Sequence, residues 1–358
     1  MKKLVVSTLI ALCSSVSAQE YQYQKVFSGL SVPWGFDFVD ASTLIVTERS
    51  GSLKRLNLTN GTSESLNAPN NVYSGGQGGL MDIKLQPGSS GQMFLTYSKK
   101  TNPGAVTTLV KGKLSQNNRI EWQQVLQTDS ATNTSRHFGS RITFDDKGYL
   151  YMSVGDRGVR ENGQDTSNHA GTILRLNADG TSPADNPFTD DAKVPDEIWS
   201  FGHRNPQGIF YDKRKKQLWS IEHGPRGGDE INLIKPGANY GWPVTSHGKE
   251  YWGPINVSDF KEKAGIESPL LVYIPSIAPS SLILYRGTKY PQLDGKLLSG
   301  ALKLTHINVV SVSDSNVLKE EERLATDLNQ RIRHIALSPD GFLYFSTDRG
   351  NIYRILPL

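Results

Sequence analysis

Apolar and polar residues alternate along most of this chain in short runs, and the runs come in pairs. GFDFVDASTLIVTERSGSLKRL from Gly35 is the first example: an alternating apolar segment, a turn, then a second alternating segment. The design returns in GLMDIKLQPGSSGQMFLTYSKK from Gly79, SRITFDDKGYLYMSVGDRG from Ser140 and GIFYDKRKKQLWSIEHGPRG from Gly208. It returns again in PSSLILYRGTKYPQLDGKLLSGALKL from Pro279 and RIRHIALSPDGFLYFSTDRGNIYRIL from Arg331. Each half has period two and is rich in Ile, Leu, Tyr and Phe, so it reads as a strand. The connections Gln-Pro-Gly-Ser, Asp-Asp-Lys-Gly and Ser-Pro-Asp-Gly supply residues that accept the backbone geometry of a reversal. No run of ten or more residues carries a helical period, and only a short helix is predicted near 319–327.

The six unit starts lie 44 to 71 residues apart, which leaves room for roughly four strands and a variable loop in each. Repeating antiparallel units of that size predict an all-β chain, a six-bladed β-propeller of four-stranded antiparallel blades. The N-terminal run at 21–27 is expected to pair with the last blade and close the ring, because closure removes an exposed sheet edge. A pair of β-sandwiches would satisfy the same alternation and is the structural alternative. In a propeller the functional residues come from the loops of several blades, so they should look scattered in sequence.

Composition narrows the function classes. The chain has 358 residues, 39 Lys and Arg against 35 Asp and Glu, and a hydrophobic share of 37%. That is apolar enough to bury a core, and the balance is too even, with no basic run, to indicate nucleic acid as a partner. Length alone would allow two or three domains; the six repeats favour one. The single Cys excludes a disulfide scaffold and a thiolate metal site. No nucleophile elbow, P-loop or helix-opening glycine fingerprint is present, which disfavours nicotinamide and flavin chemistry.

The first residues, MKKLVVSTLIALCSSVSAQE, have two Lys, an apolar run to Cys13, and small residues Val16 and Ala18 three and one before a cut ahead of Gln19. Residues 1–18 read as a secretory signal peptide. Its removal would leave 19–358 as one catalytic propeller domain, thiol-free, with a net charge near +2, working in a periplasm or secreted. No segment of the body is apolar and long enough to span a membrane.

The long segment DEIWSFGHRNPQGIFYDKRKKQLWSIEHGPRGGDEINLIKPGANYGWP from Asp196 is the most informative. With GGQGGLMDI, RHFGSRITFDDKGYLYMSVGDRG and QRIRHIALSPDGFLYFSTDRGNIYRI, it resembles the soluble sugar dehydrogenases that depend on pyrroloquinoline quinone (PQQ). These form the glucose/sorbosone dehydrogenase family, which includes the aldose sugar dehydrogenases and is built as a six-bladed propeller. The resemblance runs over nearly the whole chain from residue 19.

PQQ is a planar quinone with three carboxylates, so its site needs cations, polar groups at the quinone oxygens and a flat surface. Arg331 and Arg333 are two apart in a predicted strand and so share a face, where each guanidinium fork suits a carboxylate; a solvated strand face is the alternative. Lys303 is flanked by apolar residues, and a snorkelling edge position is its plain reading. Arg204 and Asn205, in GHRNPQG, are suited to donating to quinone oxygens, with a loop-capping pair as the alternative. The resemblance implies that Arg331, Arg333, Lys303, Arg204, Asn205, Gln77 and Tyr251 contact PQQ.

An imidazole that titrates near neutrality can take a hydroxyl proton, but the seven His cannot be ranked by composition. The resemblance selects His137 as the general base, with Asp156 orienting it and His203 in support. Asp229 and Glu230 place hard oxygen donors in a Gly-rich loop, a set that suits Ca2+ better than zinc, or simply a solvated turn. By resemblance Glu230 and Tyr240 hold one Ca2+, and the carbonyls of Gly224 and Pro225 hold a second against PQQ.

The expected reaction is oxidation of an aldose sugar at C1 to the lactone, with hydride transfer to PQQ and electrons passed to an external acceptor. The short loops favour the broad aldose branch, with oligosaccharides among its substrates, and the chain as monomer or homodimer. A Ca2+-dependent lactonase on a six-bladed propeller and a non-catalytic binding propeller are the alternatives; the first does not need the cations Arg331, Arg333, Lys303 and Arg204, and the second has no reason to keep His137, Gln77 and the Arg204–Asn205 pair around one axis.

Overall fold

The computed structural model describes residues 21–115 and 119–358; the segment read as a signal peptide lies outside them. Twenty-four strands form six four-stranded antiparallel sheets, and helix is limited to three short 3-10 turns among the described residues. Five blades are built from consecutive strands, at 33–66, 80–127, 142–201, 206–273 and 279–324. The sixth combines three strands at 332–357 with Tyr21–Phe27, which pairs antiparallel with Ile352–Pro357. The ring is therefore latched by its own N-terminal strand, as the alternation predicted, and the β-sandwich alternative is excluded.

The innermost strands contact one another in a closed circuit, from Pro33–Phe38 through Leu80–Leu85, Ile142–Phe144, Pro206–Asp212, Pro279–Leu284 and Ile332–Leu337 back to the first. Six apolar clusters hold the blades together, each between two neighbours. Phe94 and Leu109 of the second blade pack with Met152 and Leu174 of the third, for example. Trp219 and Ile231 of the fourth pack with Leu282 and Val310 of the fifth. A blade thus has two buried faces, which is why strands such as Leu150–Val154 are buried at every position rather than at alternate ones.

The helix predicted near 319–327 is not formed. Leu318–Leu324 is the fourth strand of its blade, paired with Ile307–Val312, and only Thr326–Leu328 makes a 3-10 turn. The sequence LKEEERL has good helix formers, but its end residues Leu318 and Leu324 are buried by the sheet, and tertiary packing overrides local propensity.

This architecture fixes where function can gather. Each inner strand starts where its antiparallel partner ends, as Pro206 opposite Glu222 and Ile332 opposite Thr347 show. Loops entering inner strands and loops leaving second strands therefore meet on one face of the ring. Every candidate residue except Tyr251 and Tyr240 lies in, or within a residue or two of, such a loop. No helix among the described residues is long and apolar enough to cross a membrane.

Candidate functional site

His137 lies in the loop that enters the third blade. Its backbone is left-handed, with φ of 56°, a conformation costing about 1 kcal/mol or more for a residue with a Cβ. Neighbours hold it there. Gln77, from the loop entering the second blade, accepts the His137 amide at 2.8 Å, and the Arg157 amide donates to the His137 carbonyl at 3.3 Å. Gly155 lies flat against that carbonyl: a Cβ there would come within 2.3 Å of it. Arg157 is fully buried, spans the Phe138 ring at 3.6 Å and donates to the carbonyls of Arg136, Thr134 and Ala105.

The imidazole Nδ1 is 2.6 Å from Asp156 Oδ1. Asp156 is buried and takes two further donors, the Gly158 amide at 2.7 Å on the same oxygen and the Trp242 indole at 2.8 Å on the other. An ionised carboxylate only accepts, so Nδ1 carries the proton and Nε2 is left with a free lone pair. Burial pushes the His137 pKa below its ordinary value; the bond to Asp156 opposes that shift and the nearby Arg204 charge reinforces it. His137 is therefore neutral and basic at Nε2 near pH 7.

Arg204 follows His203 in a buried stretch entering the fourth blade. Its backbone amide is fixed by Glu222 at 2.7 Å, and its Nη1 donates to the carbonyls of His223 and Gly224 at 3.0 and 2.8 Å. Its Nε is buried with no partner among the described residues. Asn205 accepts the Gly139 amide at 3.2 Å and so ties the fourth blade to the His137 loop. Arg331 and Arg333 do share a face: both guanidiniums hold Asp348, each Nε at 2.7 Å from a carboxylate oxygen. The pair keeps one net positive charge, and the carboxylate fixes both forks.

A cavity of about 140 Å³ at the axis is lined by Gln77, Asn205, Arg331 and Arg333 together with residues that sequence reasoning passed over; His137 and Asp156 are not on its lining, and Arg204 lines the neighbouring recess. Trp34 and Phe138 give it apolar walls, Arg49 and Gln207 add polar groups, and His223 sits at its side. Burial, with Arg204 and other cations nearby, pushes His223 down to about 3, and its Nε2 donates to the Pro279 carbonyl at 2.5 Å. His223 stood inside a quoted motif, IEHGPRGG, but the sequence offered no means of choosing it. Lys303 is exposed at the rim beside Leu302, which lines the cavity. Tyr251 is not brought to the cavity wall: it is 67% exposed on a hairpin whose Glu250 is clamped by Arg160 through two 2.7 Å bonds.

The acidic candidates divide. Asp229 is saturated, taking the Ser276 hydroxyl and the amides of Gly224, Ile277 and Ala278, so it is a loop clamp and not a free donor. Glu230 faces Glu222 across the sheet, and burial, then Glu222, pushes its carboxyl well above the usual range. Glu222 itself is shared by His203 at 3.0 Å, and His203 stacks on Tyr240 at 4.7 Å. Glu222, Glu230, Tyr240, Gly224 and Pro225 line one small recess behind Arg204. Two adjacent carboxylates, Glu222 buried and Glu230 partly so, without a full counter-charge suit a hard cation. The Gly224 carbonyl is occupied by the Arg204 guanidinium. Among the described residues no group of three or more His, Cys, Asp or Glu forms a metal cluster.

The chain is similar along most of its length to known proteins. The family model described as Glucose / Sorbosone dehydrogenase matches residues 30–354. The chain is 38% identical over 338 residues to the aldose sugar dehydrogenase YliI of Escherichia coli (strain K12), covering 92% of this chain and 91% of that protein. The crystal structure of the soluble aldose sugar dehydrogenase from Escherichia coli in the apo-form superposes with a TM-score of 0.90 at 36% identity, over 94% of this chain and 100% of that one. The PQQ-bound aldose sugar dehydrogenase from Streptomyces coelicolor shares the fold, with a TM-score of 0.76 at 23% identity over 94% of this chain and 97% of its own.

Proposed function

The chain belongs to the glucose/sorbosone dehydrogenase family, and from that premise we propose that it oxidises aldose sugars at C1 to the lactone with PQQ and Ca2+, passing the electrons to an external acceptor. The observation that carries the reading is one constellation: a neutral His137, polarised by Asp156 at 2.6 Å, close to Arg204 and to a cavity lined by Arg331, Arg333, Gln77 and Asn205.

The donors present suit PQQ. Arg331 and Arg333 keep a net positive charge toward its carboxylates, the buried unpartnered Nε of Arg204 is a donor awaiting an acceptor, and Trp34 and Phe138 provide flat apolar surface. Lys303 adds a cation at the rim. When bound, PQQ supplies the two-electron acceptor for the hydride leaving sugar C1. His137 Nε2 takes the proton of the C1 hydroxyl, and Asp156 stabilises the imidazolium that results. Arg204 and Asn205 offer fixed dipoles where negative charge develops. Ca2+ is proposed at Glu230 with the Tyr240 backbone, where it would offset the crowding of Glu222 and Glu230. A second ion at Gly224 and Pro225 would share the Gly224 carbonyl, which has two lone pairs, with the Arg204 guanidinium. The short loops favour oligosaccharides as well as monosaccharides, and residues 1–18 favour work outside the cytoplasm.

The test uses apoprotein with PQQ and Ca2+ added. Quinone absorbance should titrate to one equivalent and bleach when glucose, galactose or maltose is supplied. His137→Ala should keep the titration and lose the bleach. Absence of a saturable titration, or normal sugar-dependent dye reduction by His137→Ala, would overturn the reading.

A further inference from the structure

The axis of the ring is closed below the cavity by one side chain. Inner strands turn a free edge to the axis, so their carbonyls there lack sheet partners. Arg141, 2% exposed, fills that space. Its Nε and Nη2 donate to the carbonyls of Gln207, Ser280 and Arg333, its Nη1 reaches Asp82 at 3.1 Å and His334 at 2.7 Å, and its guanidinium lies 3.9 Å from the Trp34 ring centre. One residue of the third blade thus touches the other five.

On the far side of Arg141 lies a second chamber of about 670 Å³, walled by the later residues of the inner strands, Phe144, Ile209, Leu282 and Leu337 among them. It is several times larger than the cavity on the His137 side and falls within the ~300–1,000 Å³ of small-molecule sites. The proposed sugar oxidation makes no use of it. Two buried donors on its lining, the Ser281 hydroxyl (2% exposed) and Arg286 Nε, have no hydrogen-bond partner among the described residues. Charge is also unbalanced. Asp82 is matched by Arg141, Asp212 by Arg286, and Lys84 by Asp37; the exposed Asp294, also on the lining, accepts the Gly287 amide and offsets one of the two cations that remain. Lys213 and Arg214 stand at the mouth with no ion pair among the described residues.

We propose that this chamber is a second ligand site, distinct from the cavity at Arg331 and Arg333, that takes a small organic acid with an apolar body. The apolar part lies against Phe144, Ile209, Leu282 and Leu337. The acid group faces Lys213, Arg214 and the free Nε of Arg286, and the Ser281 hydroxyl meets a polar function deeper in the chamber. A chamber holding only water would satisfy the same donors, and it would show no preference for an apolar acid.

Octanoate is the probe, titrated calorimetrically into the full chain loaded with PQQ and Ca2+, with octanol as the uncharged control. One equivalent of octanoate should bind saturably, and octanol should bind at least about tenfold more weakly. The surface variant Lys213→Glu/Arg214→Glu should weaken octanoate by about tenfold or more with sugar oxidation unchanged. Leu282→Trp should fill the chamber and abolish binding; if it fails to fold, the surface variant still decides. No saturable binding, equal affinity for octanol, no effect of the surface variant, or displacement of PQQ by octanoate would overturn the proposal. Failure of PQQ to bind at all would overturn the sugar-oxidation reading instead, and octanoate titrated into that apoprotein would still test the chamber.

Discussion

Asp156→Asn is the sharpest test of the chemistry, because the structure gives this carboxylate three donors and no slack. Oδ1 takes His137 Nδ1 and the Gly158 amide; Oδ2 takes the Trp242 indole. An amide has one accepting atom. With its oxygen toward His137, its NH2 faces the Trp242 N–H, leaving a buried donor opposed by a donor, at about 1–3 kcal/mol of stability. With its NH2 toward His137, Nδ1 must become the acceptor, the proton moves to Nε2, and the base is lost. Either arrangement also removes the negative charge that stabilises a protonated His137. A positioned general base contributes about 10²–10⁴ in rate, so kcat should fall by that range, or about 2.7–5.4 kcal/mol at 1.36 per decade. KM and the PQQ titration should change little. The pH profile has a definite sign. The base works when neutral, so kcat/KM falls as pH drops through the His137 pKa, which burial places below the ordinary value of about 6.5. Asp156 raises that pKa, so its loss moves the acid limb to still lower pH. Steady-state dye reduction across roughly pH 4–9, with thermal melts as a folding control, decides it. A folded Asp156→Asn enzyme with wild-type kcat and an unmoved acid limb would refute the reasoning.

Two other outcomes are expected. In metal-free protein Glu230→Gln should raise stability by about 1–3 kcal/mol at neutral pH, since a buried carboxyl beside Glu222 no longer has to ionise. Because the Glu230 pKa is raised, that advantage should shrink as pH falls toward the ordinary carboxylate range, and Ca2+ should stabilise wild type more than the variant; denaturant melts with and without a chelator measure both. Deleting 21–27 should unlatch the ring by stripping Ile352–Pro357 of its partner and exposing a sheet edge, giving a lower melting temperature and concentration-dependent aggregation by light scattering.

The fold was legible in the sequence because its signal is local and repeated. Six paired alternating runs determine six blades, and the unpaired run at 21–27 determines the latch. The one local misreading, at 319–327, came from a Glu-rich strand whose identity depends on its neighbour Ile307–Val312. The candidate site was legible only through motif resemblance, which singled out His137, Asp156, Arg204, Arg331 and Arg333; nothing in the spacing of residues 137 and 204 says that their loops meet.

What the sequence by itself determined, then, was strand pattern, blade count and a set of chemically suited residues. Only the tertiary structure decided which of them share a space. Ring closure brings loops separated by more than 200 residues to one face, surrounds them with Trp34, Arg49, Gln207 and His223, and leaves Tyr251 outside the cavity wall. It also decided what becomes of Arg141. In sequence it is an ordinary cation before a strand; at the axis it meets the free carbonyls of the inner strands and divides the channel into two chambers. Position relative to a closed ring is a property of all six blades together, and no local stretch of sequence contains it.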